Sequence, residues 1–209
     1  MYSDLLKAPK DSPVFLSEDL DPIFMLKAYS FGLFPWSTSP VTWWCPDPRM
    51  ILFPKDIYRQ KSIRRFFKFY ECKLDENTMA LIKLCADTRE LSWIDEHFIK
   101  AYEKLLDLGF LHSLELYDKD ELVGGIYGLI IGKIFFAESM VSIRKNVSKI
   151  AMIKLCDILE PYDFLIDCQV YNKHLEFMGA KAYKRKKFLE LLEDMVQKDS
   201  GFTNFKSIL

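Results

Sequence analysis

The spacing of apolar residues changes character twice along this chain. "DIYRQKSIRRFFKFY", from residue 56, reads as a helix, and "ENTMALIKLCADT", from residue 76, as another, with Met79, Ile82, Leu84 and Cys85 at mainly helical intervals. A third helix is predicted from about Asp95 to Leu108, where Phe98, Ala101, Tyr102 and Leu105 make an i, i+3, i+4, i+7 stripe and Gly109 supplies the stop. The period then shortens to two. "HSLELY", "LVGGIYGLII" and "IFFAESM" read as three strands joined by the turns "DKDE" and "GK". Asn146 or Ser148 can cap a helix lasting to about Glu160, "FLIDCQV" is a buried strand, and "KKFLELLEDMV" is a closing helix. Helices, an antiparallel meander, a further helix and another strand describe an α+β sandwich.

The N-terminal part follows neither period. Seven of the nine prolines fall in residues 1 to 50, and the stretch "FGLFPWSTSPVTWWCPDPRMILFP", residues 31 to 54, holds three tryptophans and five prolines. So much proline predicts irregular, stiff backbone short of amide donors. The shift in composition places a boundary near residue 50, with a small N-terminal domain over 1–50 and the main domain over 51–209.

Composition narrows the classes. Half of the 209 residues are hydrophobic, enough for one main core with a smaller companion. The start is mixed and polar, and the longest apolar run, "LVGGIYGLIIG" at 122–132, is far short of the roughly 20 residues that span a bilayer, so no membrane partner and a cytoplasmic location are expected. Five cysteines without C-x-x-C spacing point to free thiols, and three scattered histidines to no metal site. With a net charge of −1, any nucleic-acid partner would need a local basic patch.

Such a patch exists. Arg59, Lys61, Arg64, Arg65 and Lys68 follow one another with no acid among them. On an α-helix the last four share a face that repels itself and that a polyanion would relieve; a plain solvated face is the alternative. A second group, Lys181 with Lys184, Arg185, Lys186 and Lys187, is weaker, because basic residues commonly flank helices. In "FLIDCQV", alternation puts Asp167 and Gln169 on one face and Ile166 and Cys168 on the other. Such polar groups either line a cleft or close a buried network. Glu138, in "FFAESM", poses the same question. The paired glycines of "LVGGIYG" indicate either a ligand against the sheet or a bulge. Trp36, Trp43, Trp44 and Trp93 are either stacking platforms for nucleobases or core, with at least one of Trp43 and Trp44 expected inside.

"FGLFPW", "WWCPDPR", "SWI", "ELVGGIYG", "FFAESM", "NVSK" and "LIDCQV" occur in the order, and at nearly the spacing, of bacterial leucyl/phenylalanyl-tRNA–protein transferases, which the chain resembles over roughly residues 15 to 195. The resemblance implies an acetyltransferase-like (GNAT-type) domain preceded by a small N-terminal domain. It also implies transfer of leucine or phenylalanine from charged tRNA to proteins that begin with arginine or lysine, marking them for degradation by the N-degron route. Methionine is a further candidate donor.

Carried over by motif, Trp36 and Trp93, with Tyr29 and Tyr102 nearby, resemble the residues around the tRNA 3′ adenosine. Lys61, Arg64, Arg65 and Lys68 stand where the family has its tRNA-binding basic helix. Glu138, Asp167 and Gln169 match the catalytic trio, and Ile126, Met140, Met152 and Ile166 the pocket for the transferred side chain. "SEDL", residues 17–20, replaces the family's Gly-Gly-Asp-Leu, and Ile126 and Met152 replace the commoner methionine and leucine.

The reaction implied is aminolysis of an ester. A free α-amine has a pKa of about 7.7 to 8.0, so positioning should matter more than a strong base. Asp167 is expected to orient the amine directly or through Gln169 and to relay its proton, Gln169 to hydrogen-bond either the amine or the ester oxygen, and Glu138 to hold the donor's α-amino group and share in recognising the acceptor's positive end. No cofactor or metal is implied, since the ester already activates the amino acid. Two rivals remain at this point. An acetyl-CoA-dependent acetyltransferase would want a glycine-rich loop where "MVSIRKNVSK" has none. A non-catalytic RNA-binding protein would leave the Asp167, Gln169 and Glu138 cluster without a purpose.

Overall fold

A computed structural model of the chain describes residues 2–88 and 92–209. In chain order it contains α1 (Tyr2–Leu5), β1 (Phe15–Ser17), α2 (Pro22–Ser30), β2 (Phe34–Thr38), β3 (Val41–Trp44) and β4 (Arg49–Leu52), then a 3₁₀ segment at Lys61–Phe69. Next come β5 (Glu71–Leu74), α3 (Thr78–Asp87), α4 (Glu96–Asp107), β6 (Leu111–Asp118), β7 (Glu121–Ile131) and β8 (Ile134–Ser142). The chain closes with α5 (Val147–Leu159), β9 (Leu165–Gln169), α6 (Lys173–Phe177), β10 (Lys181–Tyr183) and α7 (Arg185–Met195).

Two sheets result. β1, β3 and β2 make a small antiparallel sheet in that order, and β10-β4-β9-β8-β7-β6-β5 make a seven-stranded sheet in which only β8 and β9 run parallel. One face of the large sheet packs on α3, α4, α7 and the N-terminal elements, the other on α5. The mixed α+β architecture expected from the alternating periods is the one observed.

The proline-rich segment is more regular than its sequence implies. Pro35 lies within β2, opposite Trp43, while Pro40 sits in the turn between β2 and β3, and Pro46 and Pro48 in the link to β4. Three of these prolines therefore fall between strands, where a missing amide costs no ladder bond. Trp43 is fully buried between Phe15 and Phe24, and its indole Nε1 donates to Ser17 Oγ at 2.9 Å. It is core, as one member of the Trp43–Trp44 pair was expected to be.

The helices start where polar side chains satisfy free amides. Asp21 accepts from Phe24 N at the head of α2, Asn77 from Ala80 N at α3, and Asp95 from His97 N and Phe98 N at α4. Asn146 heads α5 in a left-handed conformation, φ 70°, without a side-chain bond.

Each strand that carries candidate chemistry has a one-residue irregularity. On β8, Ala137 and Ser139 face consecutive residues Gly128 and Tyr127, so Glu138 is the extra residue of a bulge. On β9, Asp167 and Gln169 face Ile51 and Met50, so Cys168 is the extra one. Bulges re-aim side chains locally. A Cβ on Gly128 would lie 2.1 Å from the Phe136 carbonyl oxygen, and one on Gly125 2.2 Å from that of Leu114. Neighbouring backbone, with no ligand needed, accounts for the glycines of β7.

Candidate active site

β8 and β9 pair only at Ile134–Leu165, Phe135–Ile166 and Phe136–Asp167. Beyond that point β8 stays with β7 and β9 with β4, so the two inner strands part. A cavity of about 290 Å³ opens at the parting. Ala137, Glu138, Ser139 and Met140 reach it from β8, and Cys168 and Gln169 from β9. Ile126 and Met152 add apolar wall from β7 and α5. Trp36 and Trp93 stand at it from two different parts of the chain. Trp36 is 37% exposed and is braced edge-on by Trp44 at 4.8 Å, while Trp93 leans edge-on against Phe98 at 4.8 Å.

Glu138 is the electrostatic centre of this wall. Its Oε1 accepts from Tyr29 Oη at 2.6 Å and Gln169 Nε2 at 2.9 Å, and its Oε2 accepts from Tyr102 Oη at 2.7 Å. Burial pushes its pKa up to about 7, against the three hydrogen bonds that favour the charged form and with the help of the nearby Asp167 carboxylate. Because Glu138 accepts, Gln169 must turn its amide NH₂ inward, which leaves its carbonyl oxygen as the acceptor it can offer to the cavity. Gln169 adopts φ 61°, a left-handed conformation that an ordinary side chain enters at a cost of about 1–2 kcal/mol. A hydrogen bond from its backbone N to Asp167 Oδ1, 2.9 Å, helps hold it there.

Asp167 itself is out of reach. It is fully buried; Arg49 Nε donates to Oδ1 at 2.8 Å and Arg49 Nη2 to Oδ2 at 2.6 Å. The guanidinium lies between the rings of Phe34 and Phe188, each centroid 4.6 Å away. Burial works against the Arg49 charge, but Asp167 more than offsets it, and the arginine's pKa is raised. Asp167 therefore has no exposed atom with which to meet an amine directly, against that expectation, and it adjoins the cavity only by way of Gln169. Alternation had paired the two side chains, and the bulge at Cys168 separates them.

Three further expectations need correction. Tyr29 and Tyr102 are fully buried, and their hydroxyls point at Glu138, so they orient the carboxylate and have no face free for an adenine. Ile166 is fully buried in the core beside α5, and Cys168, two residues on, takes the place on the cavity wall that had been expected of it. Lys61–Phe69 is a 3₁₀ helix, so residues three apart share a row and the basic side chains divide into Lys61 with Arg64 and Arg65 with Lys68. All four remain exposed, while Arg59 is drawn off to Asp157 Oδ1 at 2.8 Å and Glu160 Oε2 at 2.6 Å. In the second basic group, Arg185 is buried and its guanidinium binds the carbonyls of Leu5, Ala8 and Pro9, a structural task.

Sequence reasoning missed several residues of the wall, among them Phe34, Asn172, His174 and Leu175. Asn172 caps α6 by accepting from His174 N and Leu175 N at 2.9 and 3.2 Å, which places that short helix at the mouth. The signal for Asn172 and His174 was the polar tail "YNKH" directly after a buried strand.

Family models described as leucyl/phenylalanyl-tRNA protein transferase and as its N-terminal domain match residues 51–193 and 18–47. The chain belongs to the leucyl/phenylalanyl-tRNA–protein transferase family. It is accordingly an aminoacyltransferase. A relative of that name from Campylobacter jejuni (strain 81-176) is 61% identical over 209 residues, covering 100% of this chain and 97% of the relative. Another from Campylobacter lari is 57% identical, covering 100% and 98%. One from Aliivibrio fischeri (strain ES114) is 43% identical, covering 91% and 82%. Among solved structures, a GCN5-related N-acetyltransferase from Kribbella flavida aligns at 10% identity and a TM-score of 0.45 over 66% of this chain and 55% of its own. An aminoglycoside acetyltransferase from a soil metagenome aligns at 15% identity and a TM-score of 0.41 over 54% and 86%.

Proposed function

We propose that this member of the family transfers leucine or phenylalanine, and also methionine, from the 3′ ester of charged tRNA to the α-amine of proteins that begin with arginine or lysine. The product is a destabilising N-terminus read by the N-degron route in the cytoplasm, where charged tRNA is made. The observation that carries the reading is the Glu138–Gln169 pair at the rim of an apolar cavity flanked by Trp36 and Trp93.

Each part of the cavity has a task in that reaction. Ile126, Met140, Met152 and Cys168 receive the donor side chain, with the unbranched, flexible thioethers of Met140 and Met152 adapting to aliphatic and aromatic shapes alike. Trp36 and Trp93 hold the terminal adenosine by stacking. The Gln169 carbonyl oxygen accepts an N–H of the incoming amine and so aims its lone pair at the ester carbonyl carbon. The new C–N bond forms, the bond from that carbon to the ribose oxygen breaks, and the ribose oxygen leaves as a hydroxyl after taking up a proton. The amine loses one proton in the same sequence. Glu138, with a pKa of about 7, is the carboxylate suited to exchange it through the Gln169 contact or the donor's α-amine. Asp167 serves in this scheme as the buried support of Gln169, tied to Arg49 and to the Gln169 backbone N. Arg64, Arg65, Lys61 and Lys68 meet the tRNA backbone, each exposed and, among the described residues, without an acidic partner.

A transfer assay tests the whole reading. Purified protein is mixed with tRNA carrying labelled leucine and two peptides that differ only in a first residue of arginine or alanine. Label on the arginine peptide alone is expected. No label on either, with the charged tRNA intact, would refute it.

A further inference from the structure

Two large aromatic rings stand in the open beside the cavity mouth. Tyr58 is 52% exposed and Phe177 53%, and they meet edge to face with centroids 5.7 Å apart. The pair is anchored at the backbone, where Tyr58 N donates to the Met178 carbonyl oxygen at 2.8 Å. Rings more than half exposed gain little from the fold. Resting on the transferase reading, we infer that Tyr58 and Phe177 form a stacking platform for the unpaired nucleotides that precede the terminal adenosine of the donor tRNA.

Position favours that occupant. Phe177 ends α6, whose His174 and Leu175 line the cavity, and Tyr58 lies three residues before Lys61, the first of the free basic side chains. A strand whose terminal adenosine sits between Trp36 and Trp93 and whose duplex phosphates lie on the 3₁₀ segment has to cross the surface between them. α5 joins the two ends. Lys149 Nζ lies over the Phe177 ring at 5.4 Å, and Lys154 Nζ over the ring of Phe67 in the 3₁₀ segment at 5.5 Å. Five residues of helix separate these lysines, about 7.5 Å at 1.5 Å per residue.

Charge favours it too. Lys149 lies over the Phe177 ring, and the exposed Lys173 starts α6 one helical turn before Phe177. Most acids in the neighbourhood are paired with cations: Asp56 with Lys181 at 3.1 Å, and Asp157 and Glu160 with Arg59, while Glu176 is turned to Tyr171 Oη at 2.7 Å. A cationic border around exposed rings is the combination that holds single-stranded nucleic acid without reading its sequence.

The test compares two donors, leucyl-tRNA and leucyl-adenosine, the second of which has nothing to lay across the platform. Tyr58→Ala and Phe177→Ala are each expected to lower kcat/KM for leucyl-tRNA by about tenfold, the usual worth of one stacked base. With leucyl-adenosine both variants should match the unaltered protein, and Tyr58→Phe should be normal with either donor. Equal losses with both donors, no loss with leucyl-tRNA, or a rise confined to the KM of the acceptor peptide would each overturn the platform. If the unaltered protein used neither donor, the transferase reading would fall and the platform with it, a result distinct from those three.

Discussion

Arg49 and Asp167 are joined by two nearly parallel hydrogen bonds of 2.8 and 2.6 Å, with both side chains shut off from solvent. The pair ties β4 to β9 at the place where β9 parts from β8. Its geometry makes Asp167 a fixed strut under Gln169.

Removing one partner leaves the other charged and buried. Arg49→Met should therefore cost about 3–5 kcal/mol of folding stability. Adding Asp167→Asn to that variant should recover part of the loss, because a neutral amide can still accept from Gln169 N. Chemical denaturation of the two single variants and the double variant checks this; additive losses would show that the charges do not depend on each other.

Glu138 titrates higher in the folded protein than in the unfolded chain, where an ordinary glutamate sits near 4.5. Between those values the folded state holds the extra proton, so stability falls as pH rises from about 4.5 through about 7. Glu138→Gln should flatten that part of the stability curve, read as the melting temperature against pH.

The same carboxylate should appear in the rate. Transfer is expected to rise with pH in two steps, one near 7 from Glu138 and one near the amine's own pKa of about 7.7 to 8.0. Glu138→Gln should lose the first step and slow transfer by about a hundredfold or more. A profile with an unchanged first step would take Glu138 out of the proton's path.

Tyr29 and Tyr102 lower the Glu138 pKa by donating to the charged form. Tyr29→Phe or Tyr102→Phe should thus move the first step of the rate profile upward, by about one pH unit for a hydrogen bond to a charged group. Adenosine affinity should not change. A loss of affinity for aminoacyl-adenosine would return the rings to the nucleotide.

Met140 lines one side of the cavity proposed to receive the donor side chain. Met140→Ala should weaken the hold on leucine more than on the larger phenylalanine, shifting the ratio of their kcat/KM values by about tenfold toward phenylalanine. Competition between the two charged tRNAs gives the ratio directly.

Among the elements read from sequence, α4 was carried by its uninterrupted stripe, and the meander of β6 to β8 by an alternation that survives the one-residue irregularities within it. The site was legible in part because its residues lie in motifs that the chain shares with the family. Trp36, Trp93, Glu138, Gln169, Ile126, Met140 and Met152 do converge on one cavity. Asp167 was expected to reach the amine because a bulge leaves no mark in the pattern, whereas Ile166 came from the family motif and shares its face with Cys168, as alternation has it. Tyr29 and Tyr102 were misplaced because a ring next to a buried acid and a ring next to a ligand have the same one-dimensional surroundings. Arg49 did leave a signal: a single cation within "RMILF" has to find a buried carboxylate. The 3₁₀ form of Lys61–Phe69 had none, since a short apolar spacing fits three residues per turn as well as 3.6.

The parting of β8 and β9 makes the site a hinge-angle measurement. Both strands are pinned to outer neighbours and to each other only up to Phe136 and Asp167, so the width available to a donor side chain depends on how far two rails diverge from a common rivet. A substitution at that rivet, well below the cavity floor, would widen or narrow every contact above it at once. Discrimination between donors is then a property of the sheet as much as of the residues that touch them.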